Sequence, residues 1–68
     1  MSIIRKEREE LELSRRQLAK KLGVQEQVIG RWESKLQVPT IFDVKAIYKV
    51  LKINFKDLLN DYLNKEEK

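Results

Sequence analysis

Basic and amide side chains that suit a polyanion are concentrated in one stretch of this sequence, between Ser14 and Lys35. Residues 14–35 hold six basic and two acidic side chains, a net charge of +4, whereas residues 1–13 sum to −1 and residues 36–68 to +1. The 68 residues include no cysteine and no histidine, so they supply no thiolate, no imidazole base and no zinc-ligand set. The composition therefore favours an anionic partner over catalysis.

Two short amphipathic helices are predicted to position these groups. In each helix, three apolar residues recur at spacings i, i+1 and i+4 and so share one face. These are Leu18, Ala19 and Leu22 in the first helix and Val28, Ile29 and Trp32 in the second. Gly23 separates them, because only glycine takes the left-handed conformation after a helix without a Cβ clash. The pattern predicts a helix-turn-helix, whose second helix can enter a DNA major groove.

Three further helices are predicted around this motif. The first runs from Ile3 to about Glu10, the fourth begins after Thr40 and the fifth after Asn54, and each follows a residue that can cap it. Their inward residues are expected to be Ile4 and Leu11; Ile41, Val44, Ile47, Tyr48 and Leu51; and Phe55, Leu58, Leu59 and Tyr62. The expected fold class is all-α.

The length of the chain sets further limits. We expect one domain over residues 1–68, with a core over about residues 3–63 and a charged tail, 64–68, that frays. The longest apolar run falls far short of the roughly 20 residues of a membrane span, and no signal-peptide pattern is present. The sequence contains no glycine-rich phosphate loop. We therefore expect a cytoplasmic protein with no enzymatic activity, cofactor or metal.

The helix-turn-helix and its surroundings resemble the Cro/cI-type family of phage repressors, over roughly Ile3 to Leu59. The positions that together carry the resemblance are Gln17-Leu18-Ala19, Gly23-Val24, Ile29, Trp32-Glu33, Pro39, Leu51 and Leu58-Leu59. The resemblance implies a five-helix, lambda-repressor-like DNA-binding domain with its helix-turn-helix at helices 2 and 3. It also implies a repressor or Cro-like transcriptional regulator that binds a two-fold symmetric double-stranded DNA operator, as a homodimer at least on DNA.

The resemblance places the base-reading positions on Glu26, Gln27 and Arg31, on the outward face of the second helix of the motif. Their chemistry suits this role, because Gln pairs with adenine N6 and N7, Arg with guanine O6 and N7, and Glu accepts from cytosine N4. Trp32 shares the phase of Ile29, which favours a place in the core over a stacking role.

Six residues are expected to contact DNA phosphates. Ser14 is an N-cap, with Gln17 completing a capping box, and the free N–H groups of a helix N-terminus suit a phosphate. Arg15 and Arg16 follow in the first turn, where cations oppose the helix dipole, which points to an anionic partner; the alternative is two solvated arginines. The resemblance adds Lys35, Gln37 and Thr40.

Arg8 lies on the otherwise apolar stripe of the first helix. One interpretation is that its guanidinium reaches water past the core. The resemblance offers another, in which an arginine at this position pairs with the glutamate after the recognition helix, here Glu33. We interpret this ion pair as structural, since removing one partner of a buried pair is costly.

This sequence departs from the family pattern at several positions. Gln25 stands where the family usually has Ser or Thr, and Ser34-Lys35 where it often has Asn-Gly. Gly30 either permits a close approach of the backbone to DNA or is merely tolerated, at a cost of about 1 kcal/mol relative to Ala. Leu36 and Val38 either anchor the loop or stand exposed in a dimer contact.

The same residues are also compatible with a second function. Glu26 brings a negative charge to the reading face, and the net charge is moderate, so a protein-binding module of the same fold, such as an antitoxin or bridging regulator with weak or no DNA binding, is the alternative. Tyr62 and Leu63 extend past the usual end of the family domain and are candidates for an exposed self-association patch.

Overall fold

Five α-helices and no strand make up residues 2–64, the part of the chain that the computed structural model describes. In chain order they are α1 (Ile3–Glu10), α2 (Arg15–Leu22), α3 (Glu26–Ser34), α4 (Ile41–Leu51) and α5 (Phe55–Leu63). α2 packs against α3 and α4, while α1 contacts α3, α4 and α5. The all-α, five-helix prediction is confirmed; residues 65–68 of the predicted fraying tail lie outside the described part.

Side-chain caps start four of the five helices. The N-cap side chains of Ser2, Ser14, Thr40 and Asn54 each accept a hydrogen bond from the backbone N–H three residues on. α2 and α4 begin with complete capping boxes. Each cap contributes about 1 kcal/mol, so local sequence determines where these helices begin. α3 is the exception, because Gln25 makes no side-chain cap hydrogen bond.

Three helices end in the left-handed backbone conformation. Gly23 ends α2 with a φ of 73°, as its lack of a Cβ predicts. Lys35 ends α3 and Lys52 ends α4 in the same conformation, with φ values of 66° and 61°. The left-handed conformation costs a residue with a Cβ atom roughly 1–2 kcal/mol. A contact of the lysine side chain is therefore expected to offset that cost.

Trp32 is the largest fully buried side chain, and all five helices contribute to the core around it. The buried apolar residues are Ile4, Leu18, Ala19, Ile29, Trp32, Ile47, Leu51, Ile53 and Leu58. Within the motif, Leu18 and Ala19 of α2 meet Ile29 and Trp32 of α3 in this cluster. The helix-turn-helix is therefore held by a core that the whole fold shares.

Several residues expected in the core are exposed instead. These are Leu11, Ile41, Tyr48, Phe55 and Leu59, with exposed fractions between 42% and 78%. On α4, Ile47 and Leu51 fill the face toward α1 and α2, and the predicted apolar stripe is wider than that face. Ile53, in the connection between α4 and α5, is buried although the helical pattern does not include it. The core is thus smaller than the sequence pattern indicates.

We predict that two isoleucines of α4 respond differently to the loss of one carbon. Ile47→Val shortens a fully buried side chain and should lower the free energy of unfolding by about 0.5–1.5 kcal/mol. Ile41→Val makes the same change on an exposed side chain and should alter that free energy by less than about 0.5 kcal/mol. Urea unfolding followed by circular dichroism measures both values. Equal losses in the free energy of unfolding would indicate that the Ile41 side chain is buried in the core.

Candidate nucleic-acid interface

α3 has one buried face and one exposed face. Ile29 and Trp32 are fully buried on the inner side, whereas Glu26, Gln27 and Arg31 are all exposed. At 100° per residue, Gln27 and Arg31 fall on the side of α3 that faces away from the core, whereas Glu26 falls at the edge of that side, on the stripe of Gly30 and Glu33. The structure therefore exposes all three predicted base-reading residues, with Gln27 and Arg31 together on the outer face of α3 and Glu26 at its edge.

The first turn of α3 depends on a charge rather than on a cap. Gln25 makes no side-chain hydrogen bond at the N-cap position, and Glu26 is the acidic residue of the first turn. A carboxylate there interacts favourably with the positive end of the helix dipole, by about 0.3–1 kcal/mol. Glu26 therefore supports the start of α3 locally, in addition to any contact it makes with a partner.

The carboxylate of Glu33 joins three helices. Arg8 of α1 donates from Nε to Glu33 Oε2 at 2.7 Å and from Nη2 to Oε1 at 3.3 Å. Arg15 of α2 donates from Nε to Oε1 at 3.1 Å. The Arg8 and Glu33 side chains are only 9% and 3% exposed. The structure thus has the paired arrangement of Arg8 rather than the one in which its guanidinium reaches water, and the contact is bidentate.

Arg15 takes part in this junction without being enclosed by it. Its Nε is held by Glu33, yet its side chain is 46% exposed. Sequence spacing does not reveal this contact, because the two residues lie 18 positions apart on different helices. The arginine that was predicted only as a phosphate contact therefore also ties α2 to α3.

The N-terminus of α2 is exposed beside this junction. Ser14 Oγ accepts from the Gln17 N–H at 3.0 Å, and the Ser14 N–H donates to Gln17 Oε1 at 2.8 Å. This capping box uses the Ser14 hydroxyl as an acceptor, which leaves its hydrogen available, and Arg16 is exposed in the same turn. The end of the helix can therefore offer a hydroxyl, guanidinium groups and first-turn N–H groups to an anion.

Two other predicted phosphate contacts lie between α3 and α4. Gln37 is partly buried, and its backbone N–H donates to the Arg31 carbonyl at 3.3 Å. That hydrogen bond does not involve the side-chain amide of Gln37. Thr40 is exposed, but its hydroxyl and its N–H both donate to Asp43 Oδ2, at 2.9 and 3.1 Å. A phosphate contact through the donors of Thr40 would compete with the capping box of α4.

Lys35, also predicted to contact phosphate, has an internal partner. Its Nζ lies 3.4 Å from Asp61 Oδ1 of α5, and both side chains are 15% exposed. Asp61 Oδ2 in turn accepts from the Ile3 N–H at 3.3 Å, so the carboxylate links α1, α5 and the end of α3. This ion pair is the side-chain contact expected to offset the steric cost of the left-handed backbone of Lys35. A phosphate role for Lys35 stays a prediction, and it requires the ammonium group to leave Asp61.

α5 makes a second contact with the end of α3. The Tyr62 hydroxyl donates to the Trp32 carbonyl at 3.0 Å. The pKa of Tyr62 is raised mainly by burial and to a lesser extent by the charges of Asp61 and Glu33. Its hydroxyl therefore stays protonated and can donate. Tyr62 is therefore packed into the fold, and the exposed patch predicted for Tyr62 and Leu63 retains only Leu63.

The geometry defines a class of protein, an all-α domain in which a helix-turn-helix, α2 and α3, exposes one face of its second helix. A family model described as Helix-turn-helix matches residues 4–58. The protein belongs to this helix-turn-helix family, of the Cro/cI type, and membership implies DNA binding. A search of curated proteins and a search of solved structures each found no significant match. None of the helices in residues 2–64 is long and apolar enough to cross a membrane.

We predict that Lys35→Gly and Lys35→Ala differ in stability. Both remove the ion pair with Asp61, but only glycine removes the steric cost of the positive φ. After allowing for the greater freedom of glycine in the unfolded chain, the Gly variant should be more stable than the Ala variant by about 0.5–1 kcal/mol. Lys52→Gly and Lys52→Ala form a matched pair with the same backbone geometry. Chemical denaturation compares all four, and a more stable Ala variant at residue 35 would contradict the left-handed helix end.

Proposed function

We propose that this protein is a sequence-specific regulator of transcription that binds double-stranded DNA with α3 in the major groove. The observation that carries the proposal is the division of α3, with Ile29 and Trp32 fully buried and Gln27 and Arg31 exposed on the other side. Because its inner face is fixed to the core, α3 can enter a groove roughly 12 Å wide without rearranging the domain. Membership of a DNA-binding family supports this use of the helix.

Three side chains are proposed to distinguish bases. Gln27 and Arg31 are four residues apart and so lie one helical turn from each other, a spacing that suits two nearby base positions. Arg31 would donate to guanine O6 and N7, and Gln27 would pair with adenine N6 and N7. Glu26, in the first turn, would accept from cytosine N4. In helices of this kind the N-terminal residues make the base contacts, which fits the position of Glu26 and Gln27.

Phosphate contacts are proposed to supply much of the affinity without distinguishing sequences. The proposed donors are Ser14, Arg15 and Arg16 at the N-terminus of α2 and Gln37 in the loop after α3. Lys35 and Thr40 join this set only if they exchange their carboxylate partners, Asp61 and Asp43, for a phosphate. The first group is therefore the main proposed source of the salt dependence of binding.

A homodimer on DNA is proposed from the exposed stripe of α5. Phe55, Leu59 and Leu63 recur every four residues on this helix, and all three are exposed. Phe55 and Leu59 also line a small apolar depression of about 60 Å³ together with Val38, which is exposed rather than packed as a loop anchor. A second copy would cover this apolar surface and place a second α3 on the next half-site, about 34 Å away.

Repression is the proposed regulatory effect. A dimer that occupies an operator excludes other proteins from the same DNA by its presence alone, with no further chemistry. The two-fold symmetry of such a dimer implies a two-fold symmetric operator. The proposed partner is DNA, so the proposed location is the cytoplasm.

A protein-binding module is the second candidate, and a different observation favours it. Leu36, Ile41 and Phe42, in the loop after α3 and at the start of α4, are between 78% and 82% exposed. Large apolar side chains grouped on a surface are typical of sites that another protein covers. Retention of a protein partner after nuclease treatment, together with no duplex binding at about 50 mM salt, would favour this candidate over the first.

We predict that Gln27→Ala and Arg31→Ala each relax discrimination at one base position. Each variant loses a base contact worth about 1–3 kcal/mol, so its affinity for the preferred duplex should approach its affinity for a duplex altered at that position. Selection of bound duplexes from a random pool defines the preferred site. Competition between this duplex and single-base variants then measures the loss.

Lys45→Ala is the control for these two variants. Lys45 is exposed on α4, a different helix from the one that carries the proposed reading residues, so the substitution removes a positive charge without removing a proposed base contact. It should leave base preference unchanged. If Gln27→Ala and Arg31→Ala also left affinity and base preference unchanged, α3 would not be the element that reads DNA.

We predict that Leu63→Asp weakens the dimer and leaves the fold intact. Leu63 is exposed near the end of α5, so a carboxylate there costs little in the monomer but would be buried between two copies. Leu11→Asp, at an exposed leucine at the end of α1, is the matched control. Sedimentation equilibrium with the selected duplex should show two copies bound for the control and one for Leu63→Asp. A wild-type protein that binds the duplex strictly as a monomer would count against the dimer.

A further inference from the structure

Gly30 lies on α3 beside the guanidinium of Arg15, at the distance of an ordinary van der Waals contact for a Cβ atom. A Cβ atom built on Gly30 would lie 3.6 Å from Arg15 Nη1 and 3.9 Å from Arg15 Cζ. Leaving aside adjoining residues and the backbone of α3, no other atom of residues 2–64 comes within 4 Å of that position. The guanidinium of α2 therefore rests against α3 at its one residue without a side chain.

Glu33 holds the same guanidinium from a second side. Arg15 Nε donates to Glu33 Oε1 at 3.1 Å, and Glu33 is itself fixed by Arg8, which donates to Oε2 at 2.7 Å. Residues 30 and 33 are three apart, so they lie on neighbouring turns of one face of α3. Glu33 is 3% exposed and Arg15 is 46% exposed, so a buried carboxylate holds a side chain that remains partly accessible.

Holding an arginine in place before binding increases its value as a contact for an anion. A flexible arginine loses rotamer freedom when a ligand immobilises it, and a residue that is already ordered avoids most of that loss. Its guanidinium presents several N–H donors, so the bond from Nε to Glu33 leaves Nη groups for a phosphate. Glu26 precedes Gly30 by one turn on α3, so the fixed cation also lies on the stripe that carries the acidic reading residue.

We propose that Glu33 is a positioning residue for Arg15 and that Gly30 leaves room for its guanidinium, which is thereby held at the edge of the reading face of α3, where it binds one DNA phosphate. This inference rests on the proposed function, because it assigns a role within the same interface. It gives Gly30 a role other than close approach of the backbone to DNA or simple tolerance, since Arg15 is the nearest neighbour of a Cβ atom built at residue 30.

Two substitutions of Gly30 separate side-chain volume from helix stability. Ala and Leu have similar helix propensities, and both should stabilise α3 relative to Gly. The Ala Cβ makes an ordinary contact with Arg15 at 3.6 Å, which should leave the guanidinium in place. The further carbons of Leu are expected to displace it. Arg15→Gln removes the charge itself. Combining Arg15→Gln with Gly30→Leu completes a double-mutant cycle.

The first readout is the affinity for the selected duplex at several salt concentrations. Arg15→Gln and Gly30→Leu should each reduce the slope of log K against log salt by about 0.9, the value for one phosphate contact. Gly30→Ala should leave the slope unchanged, and Gly30→Leu should have no further effect once Arg15 is Gln. If Gly30→Leu weakens binding equally in both backgrounds, the leucine acts on DNA directly and the inference is wrong.

The second readout uses the free protein and is independent of DNA. NMR should show that the Arg15 Nε–H exchanges slowly with water in the wild type and in Gly30→Ala, and several-fold faster in Gly30→Leu. The exposed Nε–H of Arg5, which donates to Glu9 at 3.0 Å, is the internal control and should not change. If no duplex from the pool binds, the proposed function fails, yet this exchange still decides the positioning. Equal exchange of Arg15 in all three proteins would overturn it.

Discussion

The carboxylate of Glu33 is the constraint on which the arrangement of the helices depends. It is almost fully buried, and a buried carboxylate is stable only when its charge is paired and its oxygens are hydrogen-bonded. Arg8 from α1 and Arg15 from α2 meet this requirement together, so the pairing is satisfied only when α3 lies in one position against both helices. Apolar packing around Trp32 drives the association of the helices. On this account, the ion pairs select the orientation in which they associate.

α3 is attached most firmly at its C-terminal end. There the Trp32 carbonyl accepts from Tyr62 and the ammonium of Lys35 pairs with Asp61, in addition to the contacts of Glu33. Its first turn has no side-chain cap from the preceding residue. This division suits a helix that reads DNA, because one end is joined to the body of the domain while the N-terminal residues, which make the base contacts in such helices, stay open.

Local sequence signals predict the helices, whereas the contacts between helices lie beyond them. Ser14 has its capping partner three residues on, and Gly23 is the residue that a left-handed helix end prefers, so helix boundaries can be read from the sequence. The exposure of the candidate reading face follows from the same helical period. The bond between Arg15 and Glu33 depends on how α2 crosses α3, which no local spacing encodes. Ile41 is exposed for a similar reason, because periodicity shows that a face is apolar but not how far neighbouring helices cover it.

A structure of the protein bound to its selected duplex tests the central claim most directly. We expect α3 in the major groove, with Gln27 and Arg31 within about 3 Å of base edges. In the same complex, Glu33 should still accept hydrogen bonds from both Arg8 and Arg15. A complex in which a different helix enters the groove, or in which α3 reads bases after the contacts of Glu33 have opened, would contradict this account.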